Sequence, residues 1–238
     1  MSPLNRSVLI WAGALALASS CMSEEGNGVI TTQDRRVPTF SRVEVEDAIQ
    51  VSISRGPNRV TITTDENLTS FYEIEVYGET LKIKEMSNFT IRPTGAVFVE
   101  VQTERMERLE VRNGAQVSAD ATQAGEFRLI VKDKSSATVS RIQTSELTLE
   151  ATDESRVDVF GEATKVRLES RSQSAVNADG LDAQTVKVVA TGQSLVNVNA
   201  RQSIEVDASG DSVVTVSGNP LDRNIDADNG SQVSFINE

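Results

Sequence analysis

Histidine is absent from the 238 residues, and cysteine occurs once, at Cys21. Those two counts remove Ser-His-Asp and Cys-His nucleophile sets and leave a zinc cage at most one sulfur ligand. The remaining chemistry belongs to carboxylates and to one thiol. Asp226-Ala227-Asp228-Asn229-Gly230 begins like a calcium loop, but the glycine falls one residue early and no glutamate closes the loop at the required distance. Across the whole chain, 35 acidic residues against 23 basic ones read as a solvated face. The net charge of −12 argues against nucleic acid as a partner, because phosphate recognition draws on clustered Lys and Arg. No catalytic residue and no cofactor is expected from these counts.

The thiol of Cys21 can serve as an acyl acceptor. It follows MSPLNRSVLIWAGALALASS, in which Arg6 supplies a positive start, residues 8–18 form an apolar run too short to span a membrane, and small residues come next. This predicts an export signal over residues 1–20. Ala18-Ser19-Ser20-Cys21 resembles a bacterial lipobox, in which the cysteine is lipidated and becomes the new N-terminus, although the leucine falls at Leu17 rather than three residues before the cysteine. An ordinary cleaved signal with Cys21 left as a stray thiol is the alternative. Residues 21–34, small, polar and acidic at their start, then read as a lipidated polar tether, with order beginning near Arg35. No aspartate follows Cys21, so by the enteric sorting rule the chain resembles lipoproteins sent to the outer membrane. A lone cysteine excludes an internal disulfide.

The elements beyond the leader are short and alternating. Phe40-Ser41-Arg42-Val43-Glu44-Val45, Val51-Ser52-Ile53, Val60-Thr61-Ile62, Leu81-Lys82-Ile83-Lys84 and Val97-Phe98-Val99-Glu100-Val101 have the two-residue period of half-buried strands. Residues 65–71 could hold one helical turn. Only 4% of the residues are aromatic, so the core must be built from Val, Leu, Ile and Ala.

A repeat then takes over, regular across residues 107–238. Its second strands align on Val117, Val139, Val157, Val176, Val196, Val214 and Val233. Four residues before each anchor lie Asn113, Ser135, Asp153, Ser172, Gly192, Gly210 and Asn229, types that tolerate turn conformations. Inward positions of the first strand would be Leu109, Leu129, Leu149, Leu168, Val188, Val206 and Ile225, each followed two residues later by a smaller residue. A period near 19 with two strands per copy predicts a β-solenoid whose coils stack at ~4.8 Å. Outward columns would then carry Arg108, Arg128, Thr148, Arg167, Lys187 and Glu205 beside Glu110, Ile130, Glu150, Glu169, Val189, Asp207 and Asp226. Asp207 and Asp226 fall on adjacent coils, and the column beside them carries Glu205 and Asn224 where earlier coils carry Arg167 and Lys187, which makes them the candidate cation ligands.

These residues carry a resemblance. Arg36-Val37-Pro38-Thr39-Phe40, Thr64-Asp65-Glu66-Asn67-Leu68, Gly78-Glu79-Thr80-Leu81-Lys82-Ile83 and the serial turn-then-valine repeat resemble the bacterial GIN domain, the head of auto-transporter adhesins, over residues 34–235. The resemblance implies a right-handed parallel β-helix with coils of about 19 residues, occupying residues 35–238, and no established catalytic residues. The family's corner commonly carries two glycines, whereas the second is here replaced by Ala115, Ala137, Ser155, Ser174, Ser194, Ser212 and Ser231. The leading expectation is a non-enzymatic, lipid-anchored envelope protein that reaches the membrane through its anchor and presents a rigid surface to a glycan or protein ligand. The alternative is a polysaccharide-active enzyme of the β-helix lyase type, which would need a groove of clustered Asp and Arg or Lys.

Overall fold

The computed structural model describes residues 22–120 and 123–236. The proposed signal, the lipobox and Cys21 lie outside the described residues. Within them, alternation does what a pleated strand requires: in Arg42–Val45 the valines are buried while Arg42 and Glu44 face outward. Such strands stack in parallel into a β-solenoid.

One inward column of the first sheet runs Leu81, Val43, Leu109, Leu129, Leu149, Leu168, Val188, Val206 and Ile225. A second sheet stacks Val99, Val51, Val117, Ala137, Val157, Val176, Val196, Val214 and Val233. In the regular part the chain leaves the second sheet at a bend and returns directly into the first strand of the next coil. Single continuous strands such as Ser136–Ala151 and Ala175–Thr191 therefore serve two coils. Each buried Val or Leu contributes ~1.5–3 kcal/mol, but only with neighbours above and below, so the fold is stable as a stack and not coil by coil.

The corner corrects the repeat alignment. Val139 pairs with Ala119, and it is Ala137 that pairs with Val117. The corner residue of that coil is accordingly Asp133, not Ser135, and its φ of 56° matches Asn113 at 58° and Asp153 at 58°. Both Ala137 and Val139 point inward, and a two-residue period cannot tell one inward position from the next. The residue after each corner is left-handed as well, from Gly114 at 82° through Lys134, Glu154, Gln173, Gln193 and Asp211 to Gly230 at 81°.

The position after this left-handed pair then reads Ala115, Ser135, Ser155, Ser174, Ser194 and Ser212, all buried. The small side chains point into the stack, and their hydroxyls turn back onto the neighbouring coil. Ser155 Oγ donates to the Val131 carbonyl at 3.0 Å, Ser174 Oγ to that of Ala151 at 2.9 Å and Ser194 Oγ to that of Ser170 at 2.9 Å. A glycine here would leave those buried carbonyls without this partner.

The first coils are threaded out of chain order. Arg42–Val45 lies between Thr80–Glu85 and Arg108–Val111, and Gln50–Arg55 lies between Phe98–Thr103 and Gln116–Asp120. The chain builds an inner coil, runs out to build the terminal one, and returns. Antiparallel strands Arg59–Asp65 and Tyr72–Tyr77, joined by the 3-10 turn Glu66–Phe71, cover that end, with Leu68 completely buried beneath them. At the other end Asp222–Ala227 is exposed throughout, and the Arg223 guanidinium lies 4.2 Å from the centre of the Phe235 ring, over the end of the core.

Strands are already present at Met22–Glu25 and Ile30–Arg35, ahead of the expected boundary near Arg35. Met22–Glu25 pairs in parallel with Phe89–Arg92, and Ile30–Arg35 pairs antiparallel with Arg59–Asp65. The fastener is Asp65, a fully buried carboxylate. It accepts hydrogen bonds from the Gly28 amide at 2.7 Å, the Thr94 amide at 2.9 Å and the Thr94 hydroxyl at 2.8 Å. The Thr94 amide does most to hold its carboxyl below the usual aspartate range. A depressed folded-state pKa means that this clamp is complete above the unfolded value of about 3.9 and is lost as pH falls through the folded value. Asp65→Ala is therefore expected to lower the melting temperature by several degrees at pH 7 and to expose the segment around Gly26 to protease. The wild type should show the same cleavage only in strong acid. Equal protection of both proteins at pH 7 would refute the clamp.

Candidate binding surface

Two outer faces flank the corner, and their chemistry differs. On the first, outward residues change sign along strands such as Arg42–Val45 and Arg108–Val111, while between strands like charges stack into a basic and an acidic ladder. Arg112 sits at the edge of this face beside the corner, paired with Glu44, with Glu46 at 3.2 Å and with Glu110 at 3.6 Å. Burial raises the Glu46 carboxyl above the usual glutamate range, with Asp47 adding to the effect. A groove of about 950 Å³ runs across this face. Each of its arginines faces a carboxylate: Arg42 with Glu79 at 3.8 Å, Arg105 with Glu107 at 2.8 Å, Arg108 with Glu110 at 2.6 Å and Arg128 with Glu150 at 3.7 Å. The ladders expected from the sequence are present in the expected register and compensate one another.

Asp207 and Asp226 are direct neighbours in one outward column, both exposed. The basic column does not end as abruptly as the sequence implied, because Lys187 Nζ reaches Glu205 at 2.8 Å. Among the described residues no group of three or more carboxylate, imidazole or thiol side chains is placed to hold a metal ion. Two exposed carboxylates remain, which water and salt can screen.

The second face is nearly neutral. Its outer column continues the short polar series Asp158, Asn177, Asn197, Thr215 and Ser234 in the other direction through Thr138, Ser118, Ser52 and Glu100. The adjacent column begins with Phe98, Gln50, Gln116 and Ser136. Toward the capped end the antiparallel strands extend the same surface, since Thr63 lies opposite Phe98 and Thr32 opposite Thr63. Together these side chains line a groove of about 660 Å³. Phe98 is 49% exposed within it, and the Thr61 hydroxyl donates to Glu100 at 3.3 Å.

The grouping at Phe98 was not legible as a site. Alternation in Val97-Phe98-Val99-Glu100-Val101 does turn Phe98 and Glu100 outward, and that signal was available. What brings Gln50 and Gln116 beside Phe98 is the out-of-order threading, which no repeat announces.

The sequence profile of the family described as "putative auto-transporter adhesin, head GIN domain" matches residues 39–220. No curated protein matches the chain in sequence. Among solved structures, a "putative adhesin" from Bacteroides fragilis superposes with a TM-score of 0.83 at 14% identity, covering 90% of this chain and 100% of that one. A "putative lipid binding protein" from Parabacteroides distasonis gives 0.70 at 16% identity, with 90% and 99% covered. A "putative adhesin" from Parabacteroides merdae gives 0.64 at 14% identity, with 90% and 99% covered. Likeness at these identities shows a shared fold.

Proposed function

The chain belongs to the auto-transporter adhesin head GIN-domain family, and from that membership we propose that it is a non-enzymatic envelope adhesin, held by a lipid on Cys21 and binding through the outer face of its second sheet. The observation that carries the reading is the pair of continuous outward columns along the second sheet, a rigid, solvated track that a linear ligand or partner surface can follow without reorganising the protein. The lyase alternative needs a free base and free cations in a groove, and the arginines of the charged groove are already paired. Because the strand Met22–Glu25 is docked on the cap, a lipid on Cys21 would hold the capped end against the membrane and leave the Asp222–Ala227 end outermost.

Two measurements test this. Cys21→Ser is expected to abolish incorporation of a palmitate analogue and to move the protein from the membrane to the soluble envelope fraction; label retained by the variant would refute the anchor. Beads coated with mature protein are expected to be retained under flow on at least one of mucin, immobilised matrix protein or whole bacterial cells. Failure on all three would remove the adhesive reading.

A further inference from the structure

We propose that the 660 Å³ groove around Phe98 binds a neutral glycan chain lying along the solenoid axis, an inference that rests on the adhesive reading and names its ligand class. The groove crosses six hydrogen-bonded strands, from the one carrying Thr32 to the one carrying Ser136. At the usual strand spacing this is a track of roughly 24 Å, room for about four or five sugar units of an extended chain.

The side chains suit hydroxyl-rich ligands. Gln50 and Gln116 each offer an amide donor pair and a carbonyl acceptor, and Ser52, Ser118 and Thr138 offer hydroxyls that both donate and accept. Phe98 supplies what the polar groups cannot: a half-exposed ring whose apolar, electron-rich face can receive the C–H face of a pyranose. The groove holds no Lys or Arg, and its single acid, Glu100, together with a chain charge of −12, disfavours anionic polymers. Ser52, Ser118 and Thr138 are short and lose little freedom on binding, so the ordering cost falls mainly on Gln50 and Gln116.

The test is a titration of full mature protein with cellohexaose, maltohexaose and chitohexaose, with hexagalacturonate as the anionic comparison. Binding is expected for at least one neutral hexasaccharide and not for hexagalacturonate. Phe98→Ala should weaken it at least tenfold with an unchanged melting temperature, Phe98→Trp should restore it, and Arg108→Ala on the other face should leave it unaltered. No binding of any neutral probe, preference for the anionic one, or a Phe98→Ala protein that binds normally would each overturn the proposal. Beads retained on matrix protein while all glycans fail would overturn the glycan and leave the adhesive reading intact. Glycan binding without bead retention would do the reverse.

Discussion

Val188→Asp should destroy the cooperative folded state at 37 °C, while Lys187→Asp, one residue away, should leave a protein that melts within a few degrees of wild type. Val188 is fully buried, with Leu168 on one side of its column and Val206 on the other, both also buried. An aspartate there has no hydrogen-bond donor to meet it. Burying an unpaired carboxylate, or protonating it to avoid the charge, costs at least about 4 kcal/mol in such surroundings. The whole stability of a domain is of order 5–15 kcal/mol. The loss is also not local, because each coil depends on the next and a broken column opens the stack in both directions. Lys187 faces water and holds Glu205 in a half-exposed pair, so its replacement removes an interaction worth about 1 kcal/mol or less and adds a weak repulsion. Thermal unfolding followed by circular dichroism separates the two outcomes. Similar melting temperatures for the two variants would mean that the inward and outward columns have been exchanged.

That contrast was open to sequence reading because strand alternation and serial repetition are both written in residue type. The first-strand columns from Leu109 to Ile225 and the acidic and basic columns beside them lie in the register their spacing implies. The second-strand anchor slipped at Val139 for a physical reason. Ala137 and Val139 both face inward, and a search for valine selects the larger side chain, whereas the backbone selects by distance from the left-handed corner at Asp133. The corner itself was legible in kind. Asn, Asp and Gly are the residues that accept positive φ most readily, yet Lys134, Glu154 and Gln193 accept it too because the neighbouring coils fix the backbone around them.

The capped end was the least legible part. Residues 22–35 lack the hydrophobicity expected of ordered chain, and their order comes from contacts with residues far away. Asp65 reaches the Gly28 amide, Asn67 donates to the Glu25 carbonyl, and the Arg59 guanidinium meets Asp34. A composition-based boundary cannot see a buried carboxylate that collects donors from a distant segment. The same holds for the neutral groove. Phe98 and Glu100 could be assigned outward from alternation alone, but Gln50, Ser52, Gln116 and Ser118 join them only through the interleaving of the coils at residues 42–55 and 80–103.

Gly161→Ala should lower the melting temperature by roughly 10 °C, whereas Gly114→Ala should cost only a few degrees, although both glycines have positive φ. Gly161 lies at the second bend of its coil with φ 135°, a region that side chains other than hydrogen rarely enter. It pairs with Ile142, at the point where the ladder between adjacent coils slips its register. A methyl group built on Gly161 would overlap the carbonyl oxygen and the amide nitrogen of Ile142, and these are backbone atoms that cannot rotate aside. Strain of ~1–3 kcal/mol in the dihedral and a similar cost for displacing the neighbouring coil give about 3 kcal/mol or more in total. Gly114 has φ 82° and nothing within 4 Å of an added Cβ, so its substitution meets only the left-handed penalty of about 1–2 kcal/mol. The aligned positions Lys134 and Glu154 already carry that penalty in this chain. If Gly161→Ala melted no lower than Gly114→Ala, the close approach of adjacent coils at the second bend would be wrong, and the packing of Ile142 beneath it would have to be redrawn.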